Sequence, residues 1–310
     1  MIDRLRWAGP VPRSAVALVL VALLVGACNL EGTPLPVTVP SAASTPLPTP
    51  MTREYSLGVT SWYAGLVIHF DAATSVVDEG GGLVAVDLRL ENPGPELASL
   101  DAPILLVAGD ASVEPVRGTV IPDVPAGASA GTTIQFNVDG SFPLADAAVK
   151  VGRAAEHEVV VPLVAGGQEL VTLDPLALAL AGSATAGSLT LTLTSGELRA
   201  DLPDWGIELK RDTLALTLTY SARYRGTFAG GFPFTGANVG LQVPDGTVLA
   251  ARPDGRSQSI TVLAAGVTVS DLIARFEVAA PGVGAYALLV RDGSRTTAIP
   301  FTIDPVAPGG

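Results

Sequence analysis

Only one cysteine, Cys28, occurs in 310 residues. No disulfide framework and no thiolate metal site can be drawn from it. Histidine is almost as scarce: His69 and His157 cannot supply a histidine-rich metal cluster, and no Asp-x-Asp-x-Asp-Gly calcium run is present. No metal motif and no cofactor motif is present, and a calcium site composed of Asp and Glu oxygens brought together between strands stays open at this point. Lysine is limited to Lys150 and Lys210, and the net charge is −12. That balance argues against nucleic acid or an anionic lipid surface as a partner. Helical periodicity is missing too: no segment of helical length repeats its apolar residues every 3.6 positions, and Gly 34 and Pro 25 are spread along the chain.

What is present begins with the N-terminus. Arg4, Arg6 and Arg13 precede an apolar run from Ala15 to Val25, closed by Gly26-Ala27-Cys28. A spanning helix needs roughly 18 or more apolar residues, so this shorter run reads as a cleaved export signal over residues 1–27. From Cys28 to Arg53 the chain is rich in proline and threonine, with Pro34, Pro36, Pro40, Pro46, Pro48 and Pro50 along it. Such a linker buries no core. At about 3.1 Å per residue it is a disordered or extended tether with a reach of up to about 70 Å.

The remainder reads as strands. Leu83-Val84-Ala85-Val86-Asp87-Leu88-Arg89-Leu90 alternates nearly throughout, as do Leu189–Thr194 and Leu214–Tyr220. Asn92-Pro93-Gly94-Pro95, Val138-Asp139-Gly140, Pro244-Asp245-Gly246, Pro253-Asp254-Gly255 and Arg291-Asp292-Gly293 supply turns between such runs. Two copies of one domain are expected, because matches fall in the same order. Gly109–Val113 resembles Pro244–Val248, and Arg117 pairs with Arg252. Val59–Ser61 pairs with Leu193–Ser195, and Ala126-Gly127 with Ala265-Gly266. Phe136–Val138 pairs with Phe276–Val278, and Val161–Leu163 with Ile299–Phe301. The fold class expected is all-β: two tandem immunoglobulin-like β-sandwiches, residues 54–165 and 166–305, after the signal peptide and linker.

The run Leu24-Val25-Gly26-Ala27-Cys28 resembles the lipobox of bacterial lipoproteins. Taken with the tether and the β-domains, the chain is similar to secreted bacterial lipoproteins with immunoglobulin-like domains of unknown function. The strand end Leu88–Asn92 and the bend from Gly127 to Phe136 carry that likeness in the first copy. The resemblance implies cleavage before Cys28, diacylglycerol on its thiol, and a chain held on the outer side of a cell membrane by membrane lipid. It supplies no further site residues.

Catalysis has one candidate motif, since Gly127-Ala128-Ser129-Ala130-Gly131 fits Gly-x-Ser-x-Gly. That motif works on a strand-turn-helix elbow, and here β-type runs flank it, so a bend of small residues is the reading. His157, in Glu156-His157-Glu158, is read as a solvated strand end, and His69 as a half-exposed strand residue. No enzyme is expected. The aromatic-rich stretch from Tyr220 to Gly236 stands out in a chain with 5% aromatics. Tyr220, Arg223, Tyr224, Arg225, Phe228, Phe232 and Phe234 are the candidate binding loop, because Tyr and Arg favour contact surfaces. The competing reading is that these rings plug the sandwich core. The expected function is non-enzymatic: presentation of the domains to an unidentified envelope protein or a role in envelope structure, with glycan binding as the alternative. Glycan binding would use Trp62, Tyr63, Trp205 or the Tyr224, Phe228, Phe232 group.

Overall fold

The computed structural model describes residues 49–253 and 261–304. The export signal, Cys28, most of the tether and the Asp254-Gly255 turn lie outside the described residues. Alternation decides which face turns inward. Within Gly81–Glu91, Val84, Val86, Leu88 and Leu90 are buried, whereas Asp87, Arg89 and Glu91 are exposed, as a period of two requires for a strand covered on one side.

The first sandwich contains β1 (Met51–Tyr63), β2 (Leu66–Asp78), β3 (Gly81–Glu91), β4 (Ile104–Ala108), β5 (Ala111–Val113), β6 (Ser129–Asp139), β7 (Ala148–Val151) and β8 (Val159–Pro162). One sheet has the order β1-β2-β3-β6 and the other β5-β4-β7-β8, all pairs antiparallel. Between them lies one apolar cluster that includes Phe70, Val86, Leu106, Phe136 and Val149.

The second sandwich repeats that plan. It comprises β9 (Leu176–Leu178), β10 (Gly182–Ala186), β11 (Leu189–Arg199), β12 (Asp201–Leu202), β13 (Ile207–Glu208), β14 (Thr213–Tyr224), β15 (Phe232–Phe234) and β16 (Val239–Gln242). β17 (Val248–Ala250), β18 (Thr261–Leu263), β19 (Thr268–Ala279), β20 (Gly284–Asp292) and β21 (Arg295–Ile303) complete it. Its sheets run β10-β11-β14-β19 and β17-β16-β20-β21, with β9 pairing the far half of β11. β2, β3 and β6 thus correspond to β11, β14 and β19, and β4, β5, β7, β8 to β16, β17, β20, β21. In both copies the chain crosses between sheets in the immunoglobulin-like order. A separate cluster, including Leu191, Leu218, Phe276 and Leu288, forms the second core.

Most matched segments land on equivalent places. Asp110 and Asp245 lie in the β4–β5 and β16–β17 turns, and Phe136 and Phe276 lie in β6 and β19. Gly127 and Gly266 precede those strands with φ of 65° and 77°. Pro162 and Pro300 belong to the last strand of each copy. The Val59–Ser61 match is a correction: it lies on β1, whereas Leu193–Ser195 lies on β11, the counterpart of β2. Threonine-rich alternation is common to many strands and does not mark equivalent positions. Boundaries also shift. Strand pairing begins at Met51, opposite Val77, and the first sandwich keeps its chain as far as Leu173. Val171 pairs with Val160, and the Leu173 amide donates to the buried Ser61 hydroxyl at 2.9 Å. No helix among the described residues is long and apolar enough to cross a membrane.

Candidate functional site

One connection differs sharply between the two copies. β2 passes to β3 through Glu79-Gly80 alone, but β11 passes to β14 through residues 200–212. That longer segment folds back over the outer face of its own sheet. β12 and β13 pair as a short hairpin, and Leu202 and Leu209 pack on Ala215 of β14. Arg275, buried on β19, donates from Nη2 to Asp204 Oδ2 at 3.1 Å and from Nε to Thr217 Oγ1. The insertion is thereby fixed to the second sandwich.

Its exposed side receives the first. The β1–β2 turn has Ala64 at φ 48° and Gly65 at φ 86°, a left-handed pair that points both backbone amides outward. Ala64 N donates to Glu208 Oε2 at 2.9 Å, and Gly65 N donates to Asp201 Oδ2 at 2.6 Å. A Cβ on Gly65 would lie 2.9 Å from the Pro203 backbone, so glycine is required for the close approach. Arg199 donates to both oxygens of Asp201, at 2.6 and 3.1 Å, and its guanidinium lies 4.6 Å from the centroid of the Trp62 ring. Burial opposes the Arg199 charge, but the hydrogen bonds and charge of Asp201 outweigh it and hold its pKa above the ordinary value.

Glu208 is the opposite case. Burial drives its pKa to about 9, Asp201 and Glu156 add to the rise, and the Ala64 amide and Arg199 only partly offset it. At neutral pH this carboxyl is protonated, and its Oε1 has no hydrogen-bond partner among the described residues. Tyr63 donates its hydroxyl to Glu156 at 2.8 Å, and burial pushes its pKa upward.

A second seam lies beside this one. The His157 amide donates to Leu209 O and the Arg211 amide to Ala155 O, at 3.1 and 3.2 Å, so two short segments pair like strands across the junction. His157 Nε2 donates to Thr213 O at 2.8 Å. Glu158 is held by Lys150 at 3.1 Å and Arg211 at 2.7 Å. Glu156-His157-Glu158, expected as a solvated strand end, is therefore a correction: the trio is half-buried in the seam, with His157 and Glu158 bonded to the second sandwich and Glu156 to Tyr63 of the first.

Next to the capped turn is a cleft of about 620 Å³, lined on one wall by Asn92, Pro95 and Leu97 and on the other by Pro203, Asp204 and Trp205. Leu97 and Trp205 are 64% and 54% exposed. Exposed apolar side chains on opposing walls suit a ligand with an apolar face. Asn92 is fully committed to the frame, donating to Glu96 O and Val124 O and accepting from Gly94 N.

The aromatic stretch is not one loop. β14 continues to Tyr224, and Tyr220, Ala222 and Tyr224 extend the inward face begun by Leu216 and Leu218. Tyr220, Tyr224 and Phe234 are buried, with Phe232 packed against them. Phe234 meets Tyr220 edge-on at 6.2 Å, and Phe232 meets Tyr224 at 5.6 Å. These four belong to the core, and only Arg223, Arg225 and Phe228 of the candidate set stand exposed. Of the rings considered for glycan stacking, Trp62 is covered by Arg199 and Tyr63 is buried. Trp205 and Phe228 remain open. Ser129 opens β6 opposite Glu91, a strand start with no elbow, and His69 bonds Thr60 and Glu91 on an open sheet face.

Arg199, Asp201, Glu208 and the Ala64-Gly65 turn escaped the sequence reading. Their signal was the unequal spacing of equivalent strands, which marks residues 200–212 as an insertion. No protein-family model matches the chain, and no curated protein matches it. Among solved structures, it is similar over 37% of its length to 87% of a functionally unknown protein from Listeria monocytogenes EGD-e, at 14% identity and TM-score 0.30. A conserved hypothetical protein from Bacillus anthracis matches 36% of this chain over 96% of its own, at 10% identity and TM-score 0.28. Likeness at this level carries no functional argument.

Proposed function

We propose that the chain is an extracytoplasmic lipoprotein, anchored by lipid on Cys28, that works by binding rather than catalysis and engages an envelope protein in the cleft between its sandwiches. The observation that carries the binding reading is the junction itself. Buried charges and paired backbone lock the two walls, so the cleft keeps its shape without a ligand, and a preorganised site loses less entropy on binding. The anchor rests on the Leu24–Cys28 motif and the Pro/Thr tether. Two or three acyl chains, at about 0.8 kcal/mol per buried methylene, give stable attachment where one chain is marginal. Glycan is the second reading, favoured by the open Trp205 indole beside Asp204, which Arg275 holds in place.

The test places a photo-crosslinking residue at Leu97 in the membrane-bound chain. An adduct with one envelope protein that disappears with Trp205→Ala supports the cleft; no adduct, or one indifferent to Trp205, refutes it. Retention on purified cell-wall glycan, lost with Trp205→Ala, selects the second reading. Cys28→Ser should shift the chain out of the membrane fraction, and unchanged fractionation defeats the anchor.

A further inference from the structure

The junction joins the top of one sandwich to the bottom of the next. The top of the first consists of the β1–β2 turn, the β3–β4 connection and the β7–β8 connection, and all three reach the second sandwich or its cleft. The equivalent top of the second sandwich consists of the β10–β11 turn, residues 225–238 and the β20–β21 turn, with residues 264–267 beside them. It carries exposed Phe228, Val262 and Val267, at 68%, 62% and 52%. Arg223, Arg225 and Arg295 are exposed at the same end, and none makes an ion pair with another described residue. Among the described residues the acids at this end are Asp271, bonded to Ser270, and Asp292, bonded to Ser188. A basic, apolar tip thus stands on a chain whose overall charge is −12.

The bottom of the first sandwich is its complement. β1 begins there and β2 ends there, and Met51, Val77 and Leu144 line a hollow of about 520 Å³. Asp78 and Glu79 rim it, Arg53 also lines it, and Asp110, Asp139 and Asp146 lie exposed around the same end. We propose that the tip of one copy seats on the bottom of the first sandwich of a second copy, Phe228 entering the hollow and Arg223 and Arg225 facing Asp78 and Glu79. Because the two patches differ, the contact is head-to-tail and adds copies without closing. The bottom of the first sandwich has only Glu79-Gly80 where the second has residues 200–212, so the contact between copies lacks the socket of the internal junction and is reversible and salt-sensitive.

The full chain in its own membranes tests this through cysteine pairs, with the wild type, whose single cysteine is Cys28, as the blank. Ala229→Cys marks the tip and Ala145→Cys the bottom, both exposed alanines. A short bismaleimide should link the two variants when they are co-expressed, leave each alone unlinked, and produce a ladder from the doubly substituted chain. Arg223→Glu with Arg225→Glu on the tip partner should lower the yield at least about tenfold, and Asp78→Arg with Glu79→Arg on the bottom partner should restore it. Linkage of Ala229→Cys to itself, no linkage on co-expression, or a yield indifferent to the charge reversals overturns the proposal.

Discussion

Replacing Glu208 by glutamine probes the junction through its proton. The buried carboxyl titrates near 9 in the folded chain and has an ordinary value of 4.5. Between those two values the folded state holds one proton that the unfolded state has released. A raised folded pKa contributes stability that is complete below the unfolded value and is lost as pH rises through the folded one, so this group makes the wild type less stable with rising pH. The slope reaches about 1.4 kcal/mol per pH unit at most. Glutamine keeps an oxygen to accept from Ala64 N and has no titration in this range. The gap between variant and wild type should therefore widen in favour of the variant by a few kcal/mol from about pH 5 to about pH 8.5. At about 2 to 4 °C per kcal/mol for a protein of this size, thermal melts followed by circular dichroism resolve the effect. Taking the difference cancels the carboxylates that titrate alike in both proteins. Melting curves that stay parallel across the range would refute a protonated Glu208.

Three further substitutions separate core, turn and ion pair. Tyr224→Ala should cost about 3 to 5 kcal/mol in chemical denaturation, while Phe228→Ala, at an exposed ring, should change stability by no more than about 0.5 kcal/mol; equal losses would contradict the assignment of the aromatic stretch. Gly65→Ala forces a side chain into a φ of 86° and against Pro203, so protease cleavage within residues 200–212 should accelerate while the first core stays protected from hydrogen exchange. Arg199→Ala strips Asp201 of its cation and should destabilise by about 3 to 5 kcal/mol, measured by denaturant titration; a loss below about 1 kcal/mol would show that Asp201 is adequately served by the Gly65 amide.

Strand content was legible because period-two burial is local. Val84 to Leu90 announce their face without knowledge of any partner. The same rule, carried further, identifies Tyr220 and Tyr224 as core, since both fall in phase with Leu216 and Leu218; ending the strand at Tyr220 concealed this. Tandem architecture was legible for a similar reason. Turn residues such as Asp110 and Asp245, and glycines such as Gly127 and Gly266, are set by backbone geometry and recur at equivalent places. The junction was not legible. Arg199, Asp201 and Glu208 read in sequence as ordinary surface charges, and their burial depends on a turn at Ala64-Gly65 far away along the chain. Alternation in β11 also breaks at a bulge between Leu193 and Ser195, which hides the residues that follow it from any pattern-based count.

The capping of the β1–β2 turn has a counterpart with a different outcome. In the second sandwich the equivalent turn, Gly187-Ser188, gives its Ser188 amide and hydroxyl to Asp292 of the same sandwich, at 2.7 and 2.8 Å. The first module leaves its turn amides for a neighbour's carboxylates, whereas the second closes on itself. In a stacked array that difference separates a unit that takes its caps from a neighbour from one that supplies its own. A third module spliced after Ile303 would find the Ser188 amide already committed to Asp292, and would have to be held by other groups than those that join the first sandwich to the second.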